Sequence, residues 1–201
     1  MSTEPTSPEV FDPVDFWEFN KTKIIAYAAL LIIGLGGYGA YELNKQSRAA
    51  KAETLFAEAK TAEDFDKIQK EFQGSRIGGN AMLEQADKLR AENKLEDAAK
   101  LLVEFVALYS EHPLASGGWT SLGVTYELQG KQDEAMTAYQ QVVTAYANSY
   151  SAPTAMLAQA RIWIAKGKPE EARRLYQDVS VRYPGTVGSR LAMRELKYLP
   201  K

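Results

Sequence analysis

One histidine and no cysteine leave this 201-residue chain few groups able to do chemistry. Without thiols there is no disulfide, no thiolate metal site, no cysteine nucleophile and no acyl-cysteine anchor. His112 sits in a Glu-His-Pro turn between expected helices, where a solvated or capping imidazole is expected in preference to a metal ligand or a base. No histidine is available for a catalytic triad, and neither a phosphate-binding P-loop nor an H-E-x-x-H pair is present. Paired acids such as Asp133 and Glu134 stand at expected helix starts, where the positive end of the helix dipole accounts for them. The glycine run GLGGYG, residues 34–39, has the composition of a phosphate loop but lies inside an apolar segment. No catalytic residue, cofactor, metal or small-molecule substrate is therefore expected. With a net charge of −2 there is also no basic field to attract nucleic acid. What remains is recognition of other proteins.

The elements that would support such recognition begin with a membrane segment. Residues 24–41, IIAYAALLIIGLGGYGAY, are uncharged, and at about 1.5 Å per helical residue they nearly match a hydrocarbon layer of roughly 30 Å. Lys21 and Lys23 precede the segment, Glu42 and Lys45 follow it, and Trp17, Tyr38 and Tyr41 can place rings at the two interfaces. A buried core helix would show a polar face, and this stretch shows none. The leader carries Glu4, Glu9, Asp12, Asp15 and Glu18 against two lysines, which argues for a retained anchor and against a cleaved signal peptide, since signal peptides open on a positive region. The expected organisation is an acidic tail over 1–23, a transmembrane helix over 24–43 and a helical domain over 44–201. Gly36 and Ala40, four residues apart, are a candidate contact for another membrane helix. Lys45, Arg48, Lys51 and Lys60 follow the span, so the basic count alone leans toward a cytoplasmic C-terminal domain.

Residues 116–149 resemble the tetratricopeptide repeat (TPR) signature, with Trp119, Leu122, Gly123, Tyr126, Ala135 and Tyr139 at six of its positions. A shift of 37 residues reproduces the pattern in both directions. Gly123 maps to Ala86 and Ala160, and Ala135 to Ala98 and Ala172. Trp119 maps to Met82 and Met156, Tyr126 to Leu89 and Trp163, Tyr139 to Leu102 and Tyr176, and Val142 to Phe105 and Val179. Small residues are expected where two helices cross closely, and large ones in the grooves beside the crossing. The turns NKLEDA, GKQDEA and GKPEEA repeat as well. Leu122 departs from the pattern, being matched by Gln85 and Gln159. Because the usual period is about 34, the extra residues are placed at the end of the second helix and the turn after it. Carried back, the shift aligns Ala49 with Ala86 and gives a degenerate first hairpin over 45–72; carried forward, it aligns Met193 with Met156 in a closing helix. The expected fold is all-α: an N-terminal transmembrane helix followed by a TPR-like α-hairpin solenoid of about three clear hairpins, a degenerate first one and a capping helix.

Stacked hairpins of this kind line an inner face with their first helices. The candidate protein-binding groove comprises Leu83, Asp87 and Arg90, then Thr120, Val124, Glu127 and Leu128, then Leu157, Arg161 and Ile164. An apolar floor with mixed charge at its edges suits an extended or helical segment of another protein; the alternative is that Leu83, Leu157 and Ile164 only complete the core. Some TPR domains clamp a C-terminal carboxylate, but Asp87, Val124 and Arg161 stand at the equivalent positions, and that mode is not expected.

The Gly-rich span with its charged exit helix, GYGAYELNKQSRAAKAETLFAEA, and the hairpin NAMLEQADKLRAENKLEDAAKLL together resemble the YfgM-like family, the ancillary subunit of the SecYEG translocon. That resemblance implies a single-pass protein of the bacterial inner membrane with a cytoplasmic N-terminus and a periplasmic TPR domain. It implies partners among translocon subunits, periplasmic chaperones and exported proteins, and it transfers no catalytic residue. An alternative is a structural scaffold of an envelope or cell-division complex.

Overall fold

In the computed structural model the described residues are 12–199, and among them the chain is helical throughout, with nine α-helices and no strand. The remainder of the acidic tail, including Glu4 and Glu9, lies outside the described residues. Helix α1 (Pro13–Glu58) is followed by α2 (Ala62–Glu71), α3 (Arg76–Ala91), α4 (Leu95–Leu108), α5 (Ala115–Leu128), α6 (Gln132–Ala145), α7 (Ala152–Ala165), α8 (Pro169–Arg182) and α9 (Val187–Tyr198). The chain divides into two units, Met1–Lys51 and Ala52–Lys201. In the first unit α1 carries a stretch long and apolar enough to cross a membrane, none of it buried. Leu30, Ile32, Ile33 and Leu35 are each about two-thirds exposed, and where a side chain at Gly36 would stand there is open space.

The second unit is a stack in which each helix packs on the next. The second helices α4, α6 and α8 start at Leu95, Gln132 and Pro169, one 37-residue period apart. Pro169 opens its helix, where a missing N–H costs little. Turns within hairpins are three residues long. Between hairpins, 109–114 and 146–151 are six long and hold the residues in excess of the usual period, whereas 72–75 and 183–186 are four long. The short turns after α3, α5 and α7 are closed in the same way. Asn93, Gly130 and Gly167 adopt left-handed backbone at φ 60°, 75° and 70°, and the following N–H groups of Lys94, Lys131 and Lys168 reach back to the carbonyls of Leu89, Tyr126 and Trp163. This double-bonded termination favours glycine, and asparagine is the usual substitute.

Most of the positions that the shift aligns are buried. Ala86, Ala98, Ala135, Ala160 and Ala172 are fully buried, as are Leu102, Phe105, Tyr139, Val142 and Val179, with Tyr176 at 2%. Leu89, Tyr126 and Trp163 are half-buried beside them. Trp119 is half-buried too and packs against both the first and the second core cluster, so it joins two hairpins. Of the two glutamines that replace Leu122, Gln159 is buried and donates to Gln140 Oε1 at 3.0 Å, whereas the buried Oε1 of Gln85 has no hydrogen-bond partner among the described residues.

The first hairpin requires a correction. The buried small residue is Ala52 and not Ala49, which is exposed. Helix α1 ends about one turn later than the repeat shift requires and α2 is shorter by the same amount, although α2 and α4 end in register. That displacement moves the residue facing α2 about one turn onward. Helix α2 starts with a reciprocal cap: Thr61 Oγ1 accepts from the Asp64 N–H, and Asp64 accepts from the N–H groups of Thr61 and Lys60 at 3.1 and 3.2 Å. Those backbone donors hold the Asp64 carboxyl below its usual range.

Successive hairpins are stitched by tyrosines at one repeating position. Tyr146 donates its hydroxyl to the Ser110 carbonyl at 3.1 Å and Tyr183 to that of Ala147 at 2.8 Å, while Tyr109 accepts from the Gly74 N–H at 2.9 Å. His112 belongs to the same junction. Its Nδ1 accepts from the Leu114 N–H, which leaves Nε2 to carry the proton and donate to the Arg76 carbonyl at 3.0 Å. Its ring lies 5.7 Å from Phe105 and 5.8 Å from Tyr109, centroid to centroid.

Candidate protein-binding face

Helix α5 touches α7 and α7 touches α9, whereas the second helices α4, α6 and α8 make no comparable approach to one another. A stack whose first helices come closer together curves toward them, which puts α3, α5, α7 and α9 on the inner side of the bend. Two shallow grooves open on this side. One, of about 300 Å³, is lined by Arg90 of α3, Thr120, Ser121 and Val124 of α5, and Tyr150 and Thr154 at the start of α7. The other, of about 320 Å³, lies between α7 and α9 and holds Leu157, Arg161, Ile164, Leu191, Arg194 and Glu195 over the Tyr176 ring.

The residues expected on this face divide by burial. Leu128 and Ile164 are 59% and 42% exposed, large apolar side chains left to solvent on first helices. Val124 is half-buried against the second core cluster, and Leu83 against the first. Leu157, 7% exposed, belongs to the third cluster while its edge reaches the α7–α9 groove. The charged residues are paired within the face: Arg90 with Asp87, and Arg161 with Glu127 at 3.3 Å. Glu127 also accepts the Tyr139 hydroxyl at 2.5 Å, so it ties α5 to its own second helix and to the next first helix. Asp87, Leu83, Glu127 and Leu128 line neither groove. Among the described residues no group of three acidic or histidine side chains is placed to hold a metal ion.

Burial pushes the Tyr139 phenol upward, and the hydrogen bond to Glu127 adds to the effect. The unfolded chain loses this proton near about pH 10, while the folded chain keeps it. Stability is therefore complete below that pH and falls as pH rises above it. Melting midpoints between pH 8 and 11 should drop less steeply for Tyr139→Phe than for the parent chain; parallel slopes would show that Tyr139 ionises freely in the fold.

The tetratricopeptide repeat-like domain model matches residues 15–194 in one span. The chain belongs to the tetratricopeptide repeat-like domain family. No curated protein matches it. Among solved structures, this TPR-like chain is similar to the type III secretion translocator chaperone SycD of Yersinia enterocolitica at 17% identity, with 70% of this chain and 99% of that one covered and a TM-score of 0.55. It is similar to a Podosopora anserina protein with nearly identical TPR-like repeats at 20% identity, with 77% and 82% covered and a TM-score of 0.56. It is also similar to MamA at 16% identity, with 86% and 95% covered and a TM-score of 0.52. These likenesses establish the repeat fold.

Sequence reasoning missed Tyr150, Thr154, Leu191, Arg194 and Glu195. The signal for those on α9 was present: aligning Met193 with Met156 makes α9 a first helix, so its inner-face residues follow from those of α7. Met193 itself is 53% exposed where Met156 is 1% exposed, because among the described residues no second helix follows α9.

Proposed function

We propose that this protein is a membrane-anchored TPR adaptor without catalytic activity, a chaperone partner at the Sec translocon that handles exported proteins. The reading takes residues 1–23 as a cytoplasmic tail, 24–43 as the inner-membrane helix and 44–201 as a periplasmic repeat domain. Its ligands are protein segments: translocon subunits, periplasmic chaperones or exported clients. The observation that carries it is the pair of exposed aliphatic residues, Leu128 and Ile164, on a first-helix face whose charges are already paired. Apolar side chains left to solvent on the inner side of a curved stack offer the anchors on which most interface energy rests. The resemblance to the YfgM-like family supports the compartment, and a single family match running over both the apolar segment and the repeats supports their belonging together.

Site-specific photo-cross-linking in native membranes tests this. A benzophenone side chain at 128 or 164 is expected to capture translocon subunits, periplasmic chaperones or exported proteins. The same group at 181, on α8 and equally open to solvent at 77% exposure, should capture few. Equal capture at all three positions would remove the face assignment, and adducts with cell-division machinery would favour the scaffold reading.

A further inference from the structure

The groove between α7 and α9 holds a phenol whose hydroxyl opens to the groove and donates to no other group among the described residues. Tyr176 is 2% exposed and lines the groove, and among the described residues its hydroxyl has no hydrogen-bond acceptor. Its counterpart one repeat earlier is satisfied: Tyr139 donates to Glu127 at 2.5 Å, and the same carboxylate takes Arg161 at 3.3 Å. The repeat shift carries Tyr139 onto Tyr176 but Glu127 onto Ile164. In the α3–α4 hairpin the same positions hold Leu102 and Arg90, so no hydroxyl needs an acceptor there. The α7–α8 hairpin keeps the phenol and lacks the carboxylate.

We propose that the α7–α9 groove is a subsite for an acidic side chain of a partner protein, whose carboxylate takes the place that Glu127 holds in the preceding hairpin. This rests on the first-helix face being the binding face and names the chemistry it selects. The incoming carboxylate accepts from the Tyr176 hydroxyl and pairs with Arg194, while an adjacent apolar residue packs on Leu157, Ile164 and Leu191. Burial raises the Tyr176 phenol above its usual range, with Glu195 adding to the effect, so it is a neutral donor at ordinary pH. Arg194 is available at small cost. It is 64% exposed and its partner, at 2.9 Å, is the adjacent Glu195, an exposed pair of the kind that contributes little. Arg161, the other guanidinium of the groove, is engaged by Glu127. A glutamate is favoured over a chain terminus because the occupant of the equivalent place in this chain is a glutamate side chain reaching from a neighbouring helix.

The test uses the full-length chain in detergent micelles and fluorescein-labelled, C-terminally amidated peptides of leucine and alanine carrying one central glutamate or one central glutamine. The glutamate peptide should bind about tenfold more tightly, the worth of one charge-assisted hydrogen bond. Tyr176→Phe should collapse that ratio to about twofold or less and leave both the glutamine peptide's affinity and the melting temperature nearly unchanged. Glu195→Gln, which removes the competing carboxylate, should tighten the glutamate peptide. Equal affinities for the two peptides, or a ratio that survives Tyr176→Phe, would overturn the carboxylate subsite while leaving the groove reading in place. A glutamine peptide with a free C-terminal carboxylate that matches the glutamate peptide would overturn it in favour of chain-end capture. If neither peptide binds, the groove reading and the subsite both fall.

Discussion

Gly123→Leu should destabilise the repeat domain by about 3 kcal/mol or more, at the upper end of what overpacking a closed core costs. A Cβ at Gly123 would stand 2.5, 2.7 and 2.8 Å from three carbons of the Tyr139 ring. That ring is fully buried and its hydroxyl is held by Glu127, so it has no room to swing aside. The contact is a side chain laid over a glycine, and the repeat shift shows an alternative solution at the same place. The α3–α4 hairpin pairs Ala86 with Leu102. The double change Gly123→Ala with Tyr139→Leu should therefore recover most of the stability that Gly123→Ala alone loses. Denaturant unfolding of the full chain, followed by circular dichroism, reads all three variants. A Gly123→Leu chain that unfolds at the parent midpoint would remove the close contact from the account.

Trp119→Ala should cost about 3 kcal/mol, the low end for removing a buried tryptophan because this one is only half-buried. Its particular effect is on cooperativity. Trp119 packs on the first cluster with Leu102 and Leu122, and on the second with Tyr139 and Val142. In a stack where each hairpin meets only its neighbours, the interface term holds the units to a single transition. Losing the bridging ring should lower the midpoint and broaden the transition. A loss below about 1 kcal/mol with an unchanged slope would show that the hairpins are coupled elsewhere.

Most of the fold could be read from residue types because each repeat position imposes one physical demand. A crossing admits only a small side chain, so Ala86, Gly123 and Ala160 were legible at once, and the left-handed turn admits glycine or asparagine, so Gly130, Gly167 and Asn93 marked the hairpin tips. The first hairpin was misread because its demand for a small residue moved one turn along α1, from Ala49 to Ala52, and the alanines on both sides hid the slip. The face was less legible than the core. Val124 and Leu128 are both aliphatic and four residues apart, yet one packs on the second cluster and the other is exposed; only the position of the next helix distinguishes them. The tyrosine stitching at 109, 146 and 183 has a period that sequence displays and bonds that it does not, because its partners are backbone groups, the carbonyls of Ser110 and Ala147 and the N–H of Gly74.

That stitching also sets how the domain answers a pull. Tyr146 and Tyr183 each bridge one hairpin boundary and no more, so the boundaries bear load in series, without a strand or cross-link running the length of the stack. Tension between the two ends would be released at the weakest boundary first, with the remaining hairpins still folded. Each hairpin that yields frees one repeat of chain, about 120 Å at full extension. Extension would then proceed as a staircase of similar treads, one hairpin at a time.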